Sequence, residues 1–308
     1  MTTRAPTSRR RRPVRRVALF VKATAWERAK DQPDDPHHRL LEAGDPTVAH
    51  VMASHAEHSS TVQEVKSVLA EAGVEVKRIR KRREVPDLSE FDLVVTVGGD
   101  GTLLHASHHV GRTPVLAVNS APSTSVGFFC GAQRQDVRQP LEEALAGTLR
   151  ASVLTRMRVS RGGAIVHDRV LNDALFCHQS PAVVSRYLLE VGDVIEHQRS
   201  SGFWIGPAAG STAAQRSAGG KILPLGSKQL QLVVREPYRP HDEKLSYSRL
   251  LVKEGDVLRV RSQARNMRLY FDGPHEYIKV ELGDVLDFTQ SPEPLSLLGL
   301  ARRQSNWS

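Results

Sequence analysis

The chain has 308 residues, 40% of them apolar and 25% charged, ordinary values that exclude collagen-like, coiled-coil and wholly disordered classes and allow two domains. Its longest apolar runs, such as Val17–Val21, fall far short of the roughly 20 residues that span a bilayer, so no membrane partner is expected. The formal charge is +9, but seven arginines from Arg4 to Arg16 precede the first acidic residue, Glu27, and without them +2 remains. With 5% aromatic residues, the body has neither the charge nor the stacking surface of a nucleic-acid binder.

Residues 1–13 read as a disordered basic tail, with a transit peptide as the alternative; no amphipathic period runs through Arg9–Arg16 to favour the latter. Arg16–Val21 is a β-branched apolar run of the kind a buried parallel strand shows. The polar stretch Trp26–Pro46, with Pro33, Asp34, Asp35 and Pro36, reads as a loop. From Thr47 to Ala72 the apolar residues Val48, Val51, Met52, Val62, Val65, Val68 and Leu69 approximate a helical stripe, which Gly73 is placed to end.

Strands are expected at Val74–Ile79, Asp92–Val97 and Pro114–Asn119, with a helix over Thr102–Val110. This alternation predicts a doubly wound parallel sheet over residues 14–150. Beyond Arg150 the period changes to short strand-like pieces, among them Val153–Ser160, Val183–Val191 and Gln229–Arg235, separated by turns such as Glu254-Gly255-Asp256. An antiparallel β domain is expected over 151–287, with 288–308 returning to the first domain.

Cys130 and Cys177 have no CxxC spacing and read as buried free thiols of a reducing cytoplasm. His37, His38, His50, His55 and His58 match no zinc pattern and read as a loop or a solvated helix face, so no protein-held metal is expected.

The richest stretch is Leu93–Leu104, where a hydrophobic strand runs into Gly98-Gly99-Asp100-Gly101-Thr102 and then into a helix. Open α/β sheets bind ligands at the carboxyl ends of their strands. Glycines there let backbone N–H groups approach phosphate, and the helix start adds partial positive charge. Neither GxGxxG nor GxxxxGK[ST] is present. A carboxylate in such a turn repels an anion, so Asp100 makes sense as the acceptor of a proton from a hydroxyl that attacks a phosphoryl group. A tight turn in which Asp100 caps the next helix is the alternative.

This five-residue turn is similar to the signature shared by NAD kinases, diacylglycerol and sphingosine kinases, and phosphofructokinases. Two later stretches, Leu171-Asn172-Asp173 and Ala209–Ala213 followed by Ser217-Ala218-Gly219-Gly220, resemble NAD kinase blocks in the right order, over residues 90–300. Asn172–Arg186, Arg199–Gly202, Ala208–Gly220 and Val234–Pro237 resemble the plant-type NADH kinase branch. The resemblance implies an α/β domain joined to a β-rich NAD(H)-binding domain, and ATP-dependent transfer with Mg²⁺ to the adenosine 2′-hydroxyl of NAD or NADH. It implies Asp100 as the base and Gly98, Gly99, Gly101 and Thr102 as phosphate contacts. Asn172, Asp173, Arg199, Thr212, Ala213 and Ser217 follow as dinucleotide contacts, and a homo-oligomer, a dimer, as the assembly.

Two residues depart from the family pattern. Ala214 stands where most members have tyrosine and Ser201 where they have aspartate, and both substitutions point toward acceptance of NADH. A lipid kinase of the diacylglycerol kinase type would share the turn but need an apolar entrance, and no exposed-looking aromatic or Leu cluster appears in the β domain. A non-catalytic NAD(H)-binding regulator is the other alternative. Asp272-Gly273-Pro274 resembles a late family Asp-Gly turn and equally a plain hairpin turn.

Overall fold

The computed structural model describes residues 13–30, 32–79, 85–192, 194–238 and 247–300. The basic tail, apart from Pro13, and the last eight residues lie outside them. The chain forms one compact unit up to Ser152 and again from Ser296, and a second over Val153–Leu295.

The first unit contains β1 (Arg16–Val21), α1 (Ala25–Lys30), α2 (Pro36–Glu42), α3 (Ala49–Glu71), β2 (Glu75–Ile79), β3 (Leu93–Gly98), α4 (Asp100–Ser107), β4 (Val115–Asn119), β5 (Ala132–Gln133), α5 (Arg138–Leu145) and β6 (Ala151–Leu154). Strands β1 to β4 are parallel, in the order β2-β1-β3-β4. The central ones are buried over nearly their whole length, which is why they read as continuous apolar runs rather than alternating ones. Val62, Val65, Val68 and Leu69 of α3, with Leu141, Ala144 and Leu145 of α5, pack on Val17, Leu19, Val95, Val97, Leu116 and Val118. Gly73 follows the α3 cap with φ +63°, the left-handed turn that glycine adopts without strain. Met52, expected in the apolar stripe, is 53% exposed.

Three sequence expectations need correction here. The stretch Trp26–Pro46 is not a loop but holds α1 and α2. Asp35 accepts the N–H of His37 and Pro36 takes the first turn of α2, so capping chemistry starts a helix that buries none of its residues and shows no apolar period. His58 is not on a solvated face: it is 3% exposed, its Nδ1 is 2.7 Å from Ser120 Oγ, and burial lowers its pKa to about 4. Cys177 is only half-buried, unlike Cys130.

Apart from two short helical segments between β12 and β13, the second unit is built of strands: β7 (Met157–Arg161), β8 (Ala164–Val170), β9 (Ala174–His178), β10 (Ser185–Val191), β11 (Val194–Ser200), β12 (Phe203–Pro207), β13 (Leu230–Val234), β14 (Arg249–Val252), β15 (Leu258–Ser262), β16 (Met267–Phe271), β17 (Glu276–Val280) and β18 (Val285–Gln290). The orders β11-β10-β15-β18-β7-β8 and β14-β13-β12-β9-β16-β17 give two antiparallel sheets. Their inner faces share one core, in which Phe176 stacks on Phe203 at 5.1 Å and meets Tyr187 edge-on at 5.4 Å.

The expected strand Val153–Ser160 is broken at Arg156. This fully buried guanidinium turns aside to donate from Nε to the Glu293 carbonyl at 2.6 Å. Residue 287 falls inside β18, which pairs with both β15 and β7. The last strand, β19 (Leu295–Leu298), lies parallel to β4. Contrary to expectation, the outer face of the second sheet carries an aromatic pair: Tyr270 and Tyr277 lie 5.2 Å apart, with the Arg268 guanidinium 4.7 Å over Tyr277.

Candidate active site

In the first unit, β1 leads to β2 on one side while β3 lies on the other, so the strand order reverses between β1 and β3. Such a switch point opens a crevice at the carboxyl ends of the strands. Gly98 ends β3 there, and Asp100 begins α4. A Cβ on Gly98 would lie 2.1 Å from Thr102 Oγ1, and one on Gly99 2.3 Å from Ser125 Oγ. Glycine is therefore what lets the turn close. Gly101 has nothing within 4 Å of such a Cβ and is exposed, so the approach to its backbone is open.

The Asp100 carboxylate accepts N–H bonds from Phe128 at 2.8 Å and from Phe129 at 2.9 Å. These charge-assisted bonds fix its orientation, and each oxygen keeps a lone pair for a further donor. The expected alternative, a helix cap, is not what the side chain does: the capping position is Gly99, with no side-chain cap bond. Lys22, which sequence reasoning passed over, follows β1 and gives its N–H to Val97 O at 3.0 Å. Its Cβ lies 3.1 Å from the space a Cβ on Gly98 would take. A lysine directly after a buried parallel strand was the available signal.

In the second unit, Asn172 and Asp173 lie between β8 and β9, where the chain crosses from one sheet to the other, rather than interrupting a single strand. Asp272, in the β16–β17 turn with φ +48°, accepts the N–H groups of Leu171 at 2.9 Å, Asn172 at 2.6 Å and Asp173 at 3.1 Å. The hairpin turn is thus also the clamp of the crossover, a role its local sequence could not reveal. Asp173 is 6% exposed, and burial, then the charge of Asp272, pushes its pKa up to about 7. Asn172 Oδ1 is buried with no partner among the described residues. A buried acceptor of this kind needs a donor.

Thr212 and Ala213 are half-buried beside this crossover, where a Cβ on Gly210 would strike Asn172 O at 1.8 Å. Ser217 is exposed at the end of the short helix α6 (Ala214–Ser217). Arg199 is not brought to this cluster: its side chain is exposed on β11, in the other sheet.

The first unit offers a pinned carboxylate in a glycine turn at a switch point and the second buried acidic and amide acceptors, groups that a phosphotransferase acting on a hydroxyl-bearing small molecule uses. Residues 28–149 match the family model of the ATP-NAD kinase N-terminal domain. A probable NADH kinase of Oryza sativa subsp. japonica is 34% identical over 78% of this chain and 81% of its own, and an NADH kinase of Arabidopsis thaliana 31% identical over 86% and 93%. An NAD kinase of Archaeoglobus fulgidus, solved in complex with ATP, shares the fold at 21% identity with a TM-score of 0.68, over 94% of this chain and 96% of that one. Yeast NADH kinase, solved with NADH, does so at 16% identity and 0.70, over 93% and 84%. The chain belongs to the NAD kinase family.

Proposed function

We propose that the protein transfers the γ-phosphoryl group of ATP to the adenosine 2′-hydroxyl of NAD or NADH, forming NADP or NADPH and ADP. The observation that carries this is the Asp100 carboxylate, held by two consecutive backbone N–H groups at the head of α4. The hydroxyl oxygen attacks the γ-phosphorus, the bond to ADP breaks, and the hydroxyl proton passes to Asp100. The transition state is loose, so most of the protein's contribution is placement and charge. The open backbone at Gly101 and the orphan N–H groups of the first helical turn suit phosphate oxygens, with Gly98, Gly99 and Thr102 shaping the turn.

Asn172 and Asp173 hold the acceptor's hydroxyls, one of which supplies the donor that Asn172 Oδ1 lacks among the described residues. Thr212, Ala213 and Ser217 contact the adenine or nicotinamide end. Arg199, exposed on the other sheet, has no assigned contact in this reading.

The turn contains one acidic side chain, Asp100, which fits Mg²⁺ carried on the triphosphate with its shell completed by phosphate and water. When bound, Mg²⁺ neutralises charge on the phosphates. A homodimer in the cytoplasm belongs to the same proposal; sedimentation reads the assembly. Among the described residues no helix is long and apolar enough to cross a membrane.

A coupled assay with ATP plus NAD, NADH or diacylglycerol separates the readings. Phosphorylated dinucleotide is expected. Product with diacylglycerol alone would make it a lipid kinase, and dinucleotide binding without ATP turnover a regulator.

A further inference from the structure

Asp272 holds the Leu171–Asp173 crossover by its N–H groups. A different set of side chains holds it by a carbonyl. Gln215, the second residue of α6, is fully buried and donates from Nε2 to Asn172 O at 3.3 Å. Gln231 of β13, also buried, donates from Nε2 to Gln215 Oε1 at 3.0 Å and to Lys221 O at 3.0 Å, while its Oε1 accepts the Lys221 N–H at 2.7 Å. Every polar atom of the Gln231 amide is thereby used, and it fixes the plane of the Gln215 amide.

Three glycines close around the same atoms. A Cβ on Gly206 would lie 2.1 Å from Asn172 O and 2.7 Å from Gln215 Nε2, and one on Gly210 1.8 Å from Asn172 O. One on Gly220 would lie 2.7 Å from Gln215 O and 2.9 Å from Gln231 Nε2. Two buried amides in series are costly unless fully bonded, and an apolar pair could fill the space. The chain of bonds instead ends on one atom, the carbonyl of the residue whose side-chain oxygen is buried without a partner among the described residues.

We propose that Gln215, oriented by Gln231, is a positioning residue for the dinucleotide. Its bond to the Asn172 carbonyl sets the direction in which the Asn172 amide and the Asp173 carboxyl meet the acceptor's hydroxyls. The inference rests on the reading above that these two residues hold the dinucleotide. Gln215 touches the carbonyl rather than the substrate, so its effect falls on dinucleotide affinity and not on ATP.

The test uses the full chain, with the NADH Kd read by nucleotide fluorescence and KM measured for NADH and ATP. Gln215→Leu is expected to weaken NADH about tenfold, with kcat and the ATP KM within about threefold, the loss of one hydrogen bond felt equally in the ground and transition states. Gln215→Glu keeps the acceptor for Gln231 but donates to the carbonyl only when protonated. Its NADH Kd relative to wild type is therefore expected to fall as pH is lowered from about 8 to about 6, and the same series for Gln215→Glu/Asp173→Asn against Asp173→Asn separates this from the coupled titration of Asp173.

In Gln215→Leu/Gln231→Leu the Lys221 N–H and carbonyl lose their partner as well, so Tm is expected to fall below that of Gln215→Leu, while NADH affinity stays as weak as in that single variant. Unchanged NADH affinity in Gln215→Leu, beside weakened affinity in Asn172→Ala, would overturn the positioning role alone. Unchanged affinity in Asn172→Ala and Asp173→Asn would overturn the underlying reading instead. Equal losses for NADH, ATP and kcat that follow Tm would make Gln215 structural and overturn the inference, and if Gln215→Leu does not fold, a pH-independent ratio for Gln215→Glu does the same.

Discussion

Asp100 and Asp173 are both carboxylates, and their surroundings separate their work. Asp100 has a donor on each oxygen and stays oriented; Asp173 is buried beside Asp272 and titrates near neutral pH, at about 7. Under the proposed function, Ala214 and Ser201 are expected to bear on which redox form is accepted. An aromatic ring in place of Ala214 would attract the cationic nicotinamide of NAD, by roughly 0.5–2 kcal/mol where a cation meets a π face. Ser201 removes a negative charge, and the structure adds a positive one, because Arg235 Nη1 donates to Ser201 O at 3.2 Å. Both changes favour the neutral ring of NADH. NADH is expected to be used at least as well as NAD; a kcat/KM advantage for NAD of about tenfold, or 1.4 kcal/mol, would show that these residues do not face the nicotinamide.

At the scale of elements, the β3–α4 turn makes opposite demands of its glycines. Gly98→Ala drives a methyl into Thr102 and is expected to lower both Tm and ATP turnover. Gly101→Ala meets nothing and is expected to raise helix stability by about 0.5–1 kcal/mol while raising the ATP KM. Thermal melts and ATP kinetics on the pair check this, and a Gly101→Ala enzyme with unaltered ATP kinetics would remove phosphate from that backbone. This turn was legible in sequence because strand, glycines and helix are contiguous, and Asn172-Asp173 because two polar residues sit in an apolar stretch. The clamps were not. Asp272 and Asn172 are 100 positions apart, and Gln215 and Gln231 become partners only when β13 pairs with β12, so no local pattern ties them. The helices α1 and α2 were missed because their surfaces carry no apolar period, and His58 because its burial depends on α3 docking against the segment after β4.

For the molecule as a whole, two buried groups bend stability in opposite directions with pH. Asp173, raised from 3.8 to about 7, binds its proton more tightly in the native state, so its contribution falls as pH rises from about 4 to 7. His58, lowered from 6.5 to about 4, is protonated more readily when unfolded, so its contribution rises from about pH 4 to 6.5. The two slopes, each at most about 1.4 kcal/mol per pH step of one, oppose one another in acid, and near neutrality Asp173 alone acts. Asp173→Asn is expected to raise the Tm of the ligand-free protein more at pH 8 than at pH 5 while weakening NADH; an equal Tm change at both would deny the burial of a charged carboxylate. The family, the crossover and the pinned turn meet in one claim, that Asp100 takes the proton of the phosphorylated hydroxyl. It is decided by kcat for NADPH formation by Asp100→Asn, measured beside its NADH Kd. A loss of about 10²–10⁴ in kcat with NADH affinity retained is expected, and a kcat near that of the wild type would mean that Asp100 does not take the proton.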